Sequence, residues 1–171
     1  MLRSHNLSKE DFEDSLLCVA RAGAGTNNIP IEDATKNGIV VFNTPGANAN
    51  AVKELVVCGM LLSSRGIIEG IEFAKSLELD NSEALNKAME AQKKTFAGNE
   101  LTGKTLGIVG LGSIGSMLAQ AAHTLGMKLV GYDPYISIEG AWRLPREVEK
   151  AETMEALLQQ SDYVSLHVPL V

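Results

Sequence analysis

Gly110-Leu111-Gly112-Ser113-Ile114-Gly115 sets three glycines at the spacing G-x-G-x-x-G, and Asp133 follows 18 positions after the last of them. Together these residues suit the binding of a dinucleotide. Gly110 allows a tight turn, Gly112 lets a pyrophosphate approach the backbone, and Gly115 permits close packing of a helix on a strand. A helix opening at this turn aims unsatisfied N–H groups and partial positive charge at the phosphates. Asp133 stands near the ~20-residue offset at which a carboxylate grips the ribose hydroxyls. A carboxylate there repels a 2′-phosphate, and the residues that follow, Pro134 and Tyr135, include no Arg, so NAD is expected over NADP. The glycines alone would equally serve a βα turn that binds nothing. The strand before them, the helix after them and the acid at the end of the next strand favour the dinucleotide. Methyltransferases that use S-adenosylmethionine share a similar half-sheet, but their glycine turn usually lacks this spacing.

Such residues need a frame of alternating strands and helices. Apolar runs predict strands at Leu16 to Ala20, Ile39 to Phe42, Thr105 to Val109, Lys128 to Tyr132 and Tyr163 to Val168. The first two read as strands buried on both faces. Helices are expected at Ile31 to Lys36, closed by Asn37-Gly38, and at Asn48 to Leu77 with a break near Gly66 or Gly70. Further helices are expected at Ser82 to Phe96, Ile114 to Leu125 and Thr153 to Gln160, and Ser8 with Asp11 resembles a capping box. The fold class is therefore α/β: the first half of a Rossmann-type doubly wound parallel sheet. The abrupt ends and the apolar last strand lead us to expect a piece of a longer chain.

Composition narrows the function classes. The chain has 171 residues, 45% hydrophobic and 21% charged, which fits a packed globular protein. Its net charge of −6 and the absence of any basic cluster beyond Lys93-Lys94 argue against a nucleic-acid partner. The longest apolar run, Leu55 to Leu62, is too short to span a bilayer, and the N-terminus lacks a signal-peptide core, so no membrane role and a cytoplasmic location are expected. Cys18 and Cys58 sit among aliphatic residues and read as buried thiols rather than a disulfide. No His/Cys/Asp cluster has metal-ligand spacing.

Several strings resemble the D-2-hydroxyacid dehydrogenase family, most closely its phosphoglycerate dehydrogenase branch. They are Arg21 to Ile29, Gly38 to Gly46, Ala51 to Leu55, Phe96 to Gly107, Gly131 to Tyr135 and Ser161 to Leu170, and they cover nearly the whole chain in the family's order. The resemblance implies two domains. Residues 1–45 would be part of a smaller, flavodoxin-like substrate domain, with a hinge at Thr44-Pro45-Gly46. Residues 46–171 would be part of the NAD-binding domain, a helical crossover over 46–98 and a βαβαβ unit over 99–171. It implies NAD contacts from Gly110, Gly112, Ser113, Ile114, Gly115, Asp133, Val168, Pro169 and Ala24. Gly23 and Gly25 would hold the substrate carboxylate. Arg3 and Ser4 stand where phosphoglycerate dehydrogenases hold the substrate phosphate; the other reading is a solvated Arg near a terminus. Asn48 matches an Asn beside the substrate, or serves as a helix N-cap.

The implied activity is NAD-dependent oxidation of a small D-2-hydroxy acid, 3-phosphoglycerate foremost, as in serine biosynthesis, by a homodimer or higher homo-oligomer. The alternative is an NAD-sensing regulator on the same scaffold. The family's catalytic His, the acid that orients it and the Arg for the α-carboxylate would all lie beyond Val171, so no catalytic residue is expected here. His167 belongs to a His-Val-Pro strand end where the family uses the backbone. The sequence departs from the family's usual pattern at Ser113 (for Arg), Ala24 (for Val or Thr) and Asn27 (for Asp).

Overall fold

The structure, a computed structural model, describes residues 1–77 and 82–168, and the chain divides into two compact units, Met1–Val52 and Lys53–Val171. In the first unit β1 (Cys18–Ala20) and β2 (Val40–Phe42) pair in parallel, with α1 (Ile31–Lys36) between them in sequence. Leu2 adds a parallel bridge to Arg21. Val19 lies opposite Val41, and its core partners are Ile29, Ala34 and Ile39.

The two strands are not buried on both faces, as their apolar runs suggested. Cys18, Val40 and Phe42 are exposed, because alternation turns them away from the one face that α1 and its neighbours cover. Cys18 is accordingly an accessible thiol rather than a buried one. Cys58 is accessible too, on an outward face of α2 (Ala49–Ser64).

The helix expected over Asn48 to Leu77 breaks at Gly66, giving α2 and α3 (Ile67–Ser76). There the Gly66 N–H donates to the Phe96 carbonyl at 3.2 Å instead of to the preceding turn. After α4 (Ser82–Gln92) and a 3₁₀ turn at Lys93–Phe96, the chain enters a parallel sheet. Its strands are β3 (Thr105–Val109), β4 (Lys128–Tyr132), β5 (Val148–Lys150) and β6 (Tyr163–Leu166), in the order β5-β4-β3-β6. Four strands form, not the three expected. β5 carries two charged residues in three and has no apolar run, so its pairing of Val148 with Leu129 is a tertiary choice. β6 stops at Leu166, short of the expected Val168.

Layers cover both faces of this sheet. Leu106, Ile108 and Leu129 pack with Leu118, Ala119 and Ala122 of α5 (Ser113–Thr124) and with Met60. On the other face Val109 and Val130 meet Leu157 of α7 (Met154–Gln160). Between β4 and β5 a short helix, α6 (Ile138–Ala141), was not anticipated; Ser137 Oγ caps it by accepting from the Gly140 N–H at 3.0 Å. The sheet order places a topological switch point between β3 and β6, where doubly wound folds bind ligands beyond the carboxyl ends of the strands. Among the described residues, no helix is long and apolar enough to cross a membrane.

Candidate functional site

β3 ends at Val109 and α5 begins at Ser113, so Gly110, Leu111 and Gly112 make the whole turn. Gly110 has φ +86°, a conformation that favours glycine, and its N–H donates to the Tyr132 carbonyl at 2.9 Å. A Cβ here would lie 2.7 Å from the His167 carbonyl oxygen, so the switch-point strands touch at this residue. At Gly115 a Cβ would lie 2.0 Å from the Gly110 oxygen, which is why α5 can follow the strand so closely. Around Gly112 a Cβ would meet nothing within 4 Å. That open backbone, at the cap of a 12-residue helix, is the space a pyrophosphate requires.

Asp133, at the end of β4, closes the turn from the side. Its Oδ2 accepts from the Leu111 N–H at 2.8 Å and its Oδ1 from the Tyr135 N–H at 2.9 Å. Each carboxylate oxygen keeps a further lone pair for a ribose hydroxyl. A cleft of about 280 Å³ opens between the turn and the segment after β4. Gly112, Ser113, Ser116, Asp133, Tyr135, Ser137, Glu139 and Arg143 line it. Of these the sequence pointed to Gly112, Ser113 and Asp133. Arg143 carries no local signal in the sequence, because the chain turns through α6 after Asp133 before Arg143 reaches the cleft.

Ile114 is half-buried on the first turn of α5. Val168 is exposed, and its Cγ1 stands 2.9 Å from where a Gly110 Cβ would be. Pro169 lies outside the described residues. The His167 N–H donates to the Val109 carbonyl at 2.7 Å, and its Nε2 lies 2.9 Å from Ser165 Oγ. Burial lowers the His167 pKa below its ordinary value. His123, exposed on the last turn of α5, brings its Nε2 to 3.7 Å from a Glu147 carboxylate oxygen. No group of three or more His, Cys, Asp or Glu among the described residues could hold a metal ion.

The first unit gathers its own set of candidates. The Leu2–Arg21 bridge, with Ala22 N–H donating to Leu2 O at 2.8 Å, sets Arg3 and Ser4 beside the Ala22–Gly25 loop. Both side chains are exposed there. The loop is anchored through Gly23, whose N–H donates to Thr44 Oγ1 at 2.8 Å, and through the Ala24 carbonyl, which accepts from Asn43 Nδ2 at 2.7 Å. Gly25 is exposed on the same loop. Asn28, to which sequence reasoning attached no role, is buried and joins three segments: it accepts from Arg21 Nε at 2.9 Å and donates to the Arg3 and His5 carbonyls. Asn48 immediately precedes α2, and its carbonyl accepts from the Val52 N–H at 3.1 Å.

Comparison with known proteins extends these observations. Residues 67–171 match the family described as D-isomer specific 2-hydroxyacid dehydrogenase, NAD binding domain. The D-3-phosphoglycerate dehydrogenase of Methanocaldococcus jannaschii is 39% identical over 157 residues, 92% of this chain and 27% of that protein. The glyoxylate reductase of Thermococcus litoralis is 39% identical over 171 residues, 99% of this chain and 49% of that protein. Among solved structures, NAD+-bound 3-phosphoglycerate dehydrogenase of Entamoeba histolytica aligns with a TM-score of 0.66 at 32% identity, covering 99% of this chain and 46% of that one. The chain thus spans between about a quarter and a half of the length of these relatives.

Proposed function

The chain belongs to the D-isomer specific 2-hydroxyacid dehydrogenases, its residues 67–171 matching their NAD-binding domain, and from that premise we propose that the whole protein oxidises a small D-2-hydroxy acid, 3-phosphoglycerate, with NAD. The observation that carries the NAD half of this reading is the turn over Gly110–Gly115 clasped by Asp133. Gly112 leaves the backbone open to the diphosphate, Ser113 and Ile114 begin the helix that faces it, and Gly115 fixes that helix to the strand. Asp133 offers its carboxylate to the ribose diol, and Val168 borders the adenine. NAD held by Gly112, Ser113 and Asp133 would supply the hydride acceptor for C2 of the substrate. This chain's residues bind and orient; we assign proton transfer to none of them.

Residues 1–45 contribute substrate binding in this reading, and residues 46–171 hold the cofactor. Gly23, Ala24 and Gly25 receive the substrate carboxylate and the nicotinamide end, and Asn48 lies beside the substrate. Arg3 and Ser4 take its phosphate, a pairing of guanidinium and hydroxyl with a dianion. Their place beside the loop supports phosphoglycerate over an unphosphorylated acid such as the glyoxylate named for one relative. The two accessible free thiols support a reducing, cytoplasmic location.

Steady-state kinetics on the whole protein test the proposal. Arg3→Ala should raise KM for 3-phosphoglycerate roughly 10- to 150-fold, the worth of one charge-assisted contact, and leave an unphosphorylated 2-hydroxy acid nearly unaffected. NADP in place of NAD should bind more weakly, because Asp133 repels its 2′-phosphate. An equal KM change for both acids would remove Arg3 from the phosphate site, and equal affinity for the two cofactors would remove the specificity role of Asp133.

A further inference from the structure

Among the described residues that line it, the cleft at the glycine turn carries two carboxylates, Asp133 and Glu139, and one cation, Arg143. A diphosphate entering it meets these charges and the partial charge of about +0.5 at the α5 N-terminus. Without Arg143 the side chains present only negative charge to a dianion. Ser113, at the first position of α5, is neutral, so the turn itself contributes no cationic side chain. Arg143 forms no ion pair with any described residue, neither with Glu139 nor with Asp133. Its backbone, by contrast, is fixed: Gln120 Nε2, from the outer face of α5, donates to the Arg143 carbonyl at 2.9 Å, and the Arg143 N–H donates to the Gly140 carbonyl at 3.1 Å. The residue is held against the helix whose N-terminus faces the diphosphate, with its charge uncommitted and its side chain lining the same cleft.

We propose that Arg143 is a diphosphate ligand of the bound dinucleotide, supplying from the segment after β4 the cation that Ser113 does not supply from the turn. The inference rests on the NAD-binding reading above and adds to it a residue outside the glycine motif. A guanidinium suits this task because it stays charged at every working pH and can bridge two phosphate oxygens with parallel N–H donors. It also implies that the α6 segment is part of the binding apparatus and not a spacer between strands.

Calorimetric titration of the 171-residue chain with adenosine, 2′-AMP and ADP-ribose decides the matter. ADP-ribose carries the diphosphate, 2′-AMP only the 2′-phosphate, and adenosine neither. Arg143→Ala should weaken ADP-ribose about tenfold, flatten the salt dependence of its affinity and leave adenosine unchanged. Arg143→Lys should recover part of the loss, since the charge returns without the fork. The side chain is exposed, so the substitution does not threaten folding, and an unchanged circular dichroism melt verifies this. Trp142, the sole tryptophan and 84% exposed, reports the same titrations by fluorescence from the adjacent position. Unaltered ADP-ribose affinity in Arg143→Ala overturns the proposal, as does a loss confined to 2′-AMP, which would place the guanidinium at the ribose. Failure of the unsubstituted chain to bind ADP-ribose at all would overturn the NAD-binding reading, and this inference with it.

Discussion

A methyl group added at Gly115 would stand 2.0 Å from a backbone oxygen, whereas at Gly112 it would touch nothing. The two positions therefore separate stability from binding. Gly115→Ala should cost about 3 kcal/mol in urea unfolding, because a backbone carbonyl cannot yield as a side chain can. Gly112→Ala should fold within about 0.5 kcal/mol of the parent, its φ of −68° being open to any residue, yet weaken ADP-ribose binding at least about tenfold. His167 makes a third residue-level test. Its desolvated ring prefers the neutral form, so as the pH falls the unfolded chain takes up the proton first. Its contribution is complete above about pH 6.5 and is lost as the pH drops below that value toward the lowered folded pKa. Stability measured at pH 7.5 and 5.5 should fall less in His167→Gln than in the parent. At this scale the glycine motif was legible because its spacing is itself the geometry. Arg143 and Asn28 were not, since what brings each to its place is a turn of chain that no local pattern encodes.

Among the elements, α7 packs on the sheet chiefly through Leu157, with the partly buried Met154 beside it. Leu157 is fully buried against Val109, Val130 and Ala151, and the absence of a side chain at Gly107 makes room for it. Its neighbour Leu158 is half-exposed. Leu157→Ala should cost about 2–5 kcal/mol, and Leu158→Ala less than about 1 kcal/mol, in the same denaturant titration. The helices and strands around the turn were legible because each has an apolar period long enough to read: β3, α5 and β4 lie at or within a residue of their expected bounds. β5 and α6 were not, being three and four residues long and stabilised by a neighbouring strand and by the Ser137 cap. β1 and β2 were recognised as strands but misjudged in burial, because an apolar run reveals tendency and not whether a second layer exists to cover it.

For the whole molecule, the helical stretch before the sheet leaves more apolar surface open than a solitary domain needs. Leu55, Leu61, Ile67, Ile68, Ile71, Leu85 and Met89 are all exposed, and Ile67, Ile71 and Met89 share an apolar groove with Phe96. We propose that a second copy of the chain covers this surface through Leu55 to Ile71 or Leu85 to Phe96. Sedimentation at micromolar concentration should give a dimer, and Ile71→Glu should shift it to monomer; a monomer from the parent protein would refute the proposal. The accessibility of the cysteines has a different use. The chain has two, and they fall one in each unit, Cys18 on β1 of Met1–Val52 and Cys58 on α2 within Lys53–Val171. Maleimide dyes would therefore attach once per unit with no residue replaced. Energy transfer between donor and acceptor then becomes a ruler across the junction, read molecule by molecule. A shift in its efficiency when ADP-ribose is added would report a change in the separation of the two dyes on binding, and an unchanged efficiency would report none.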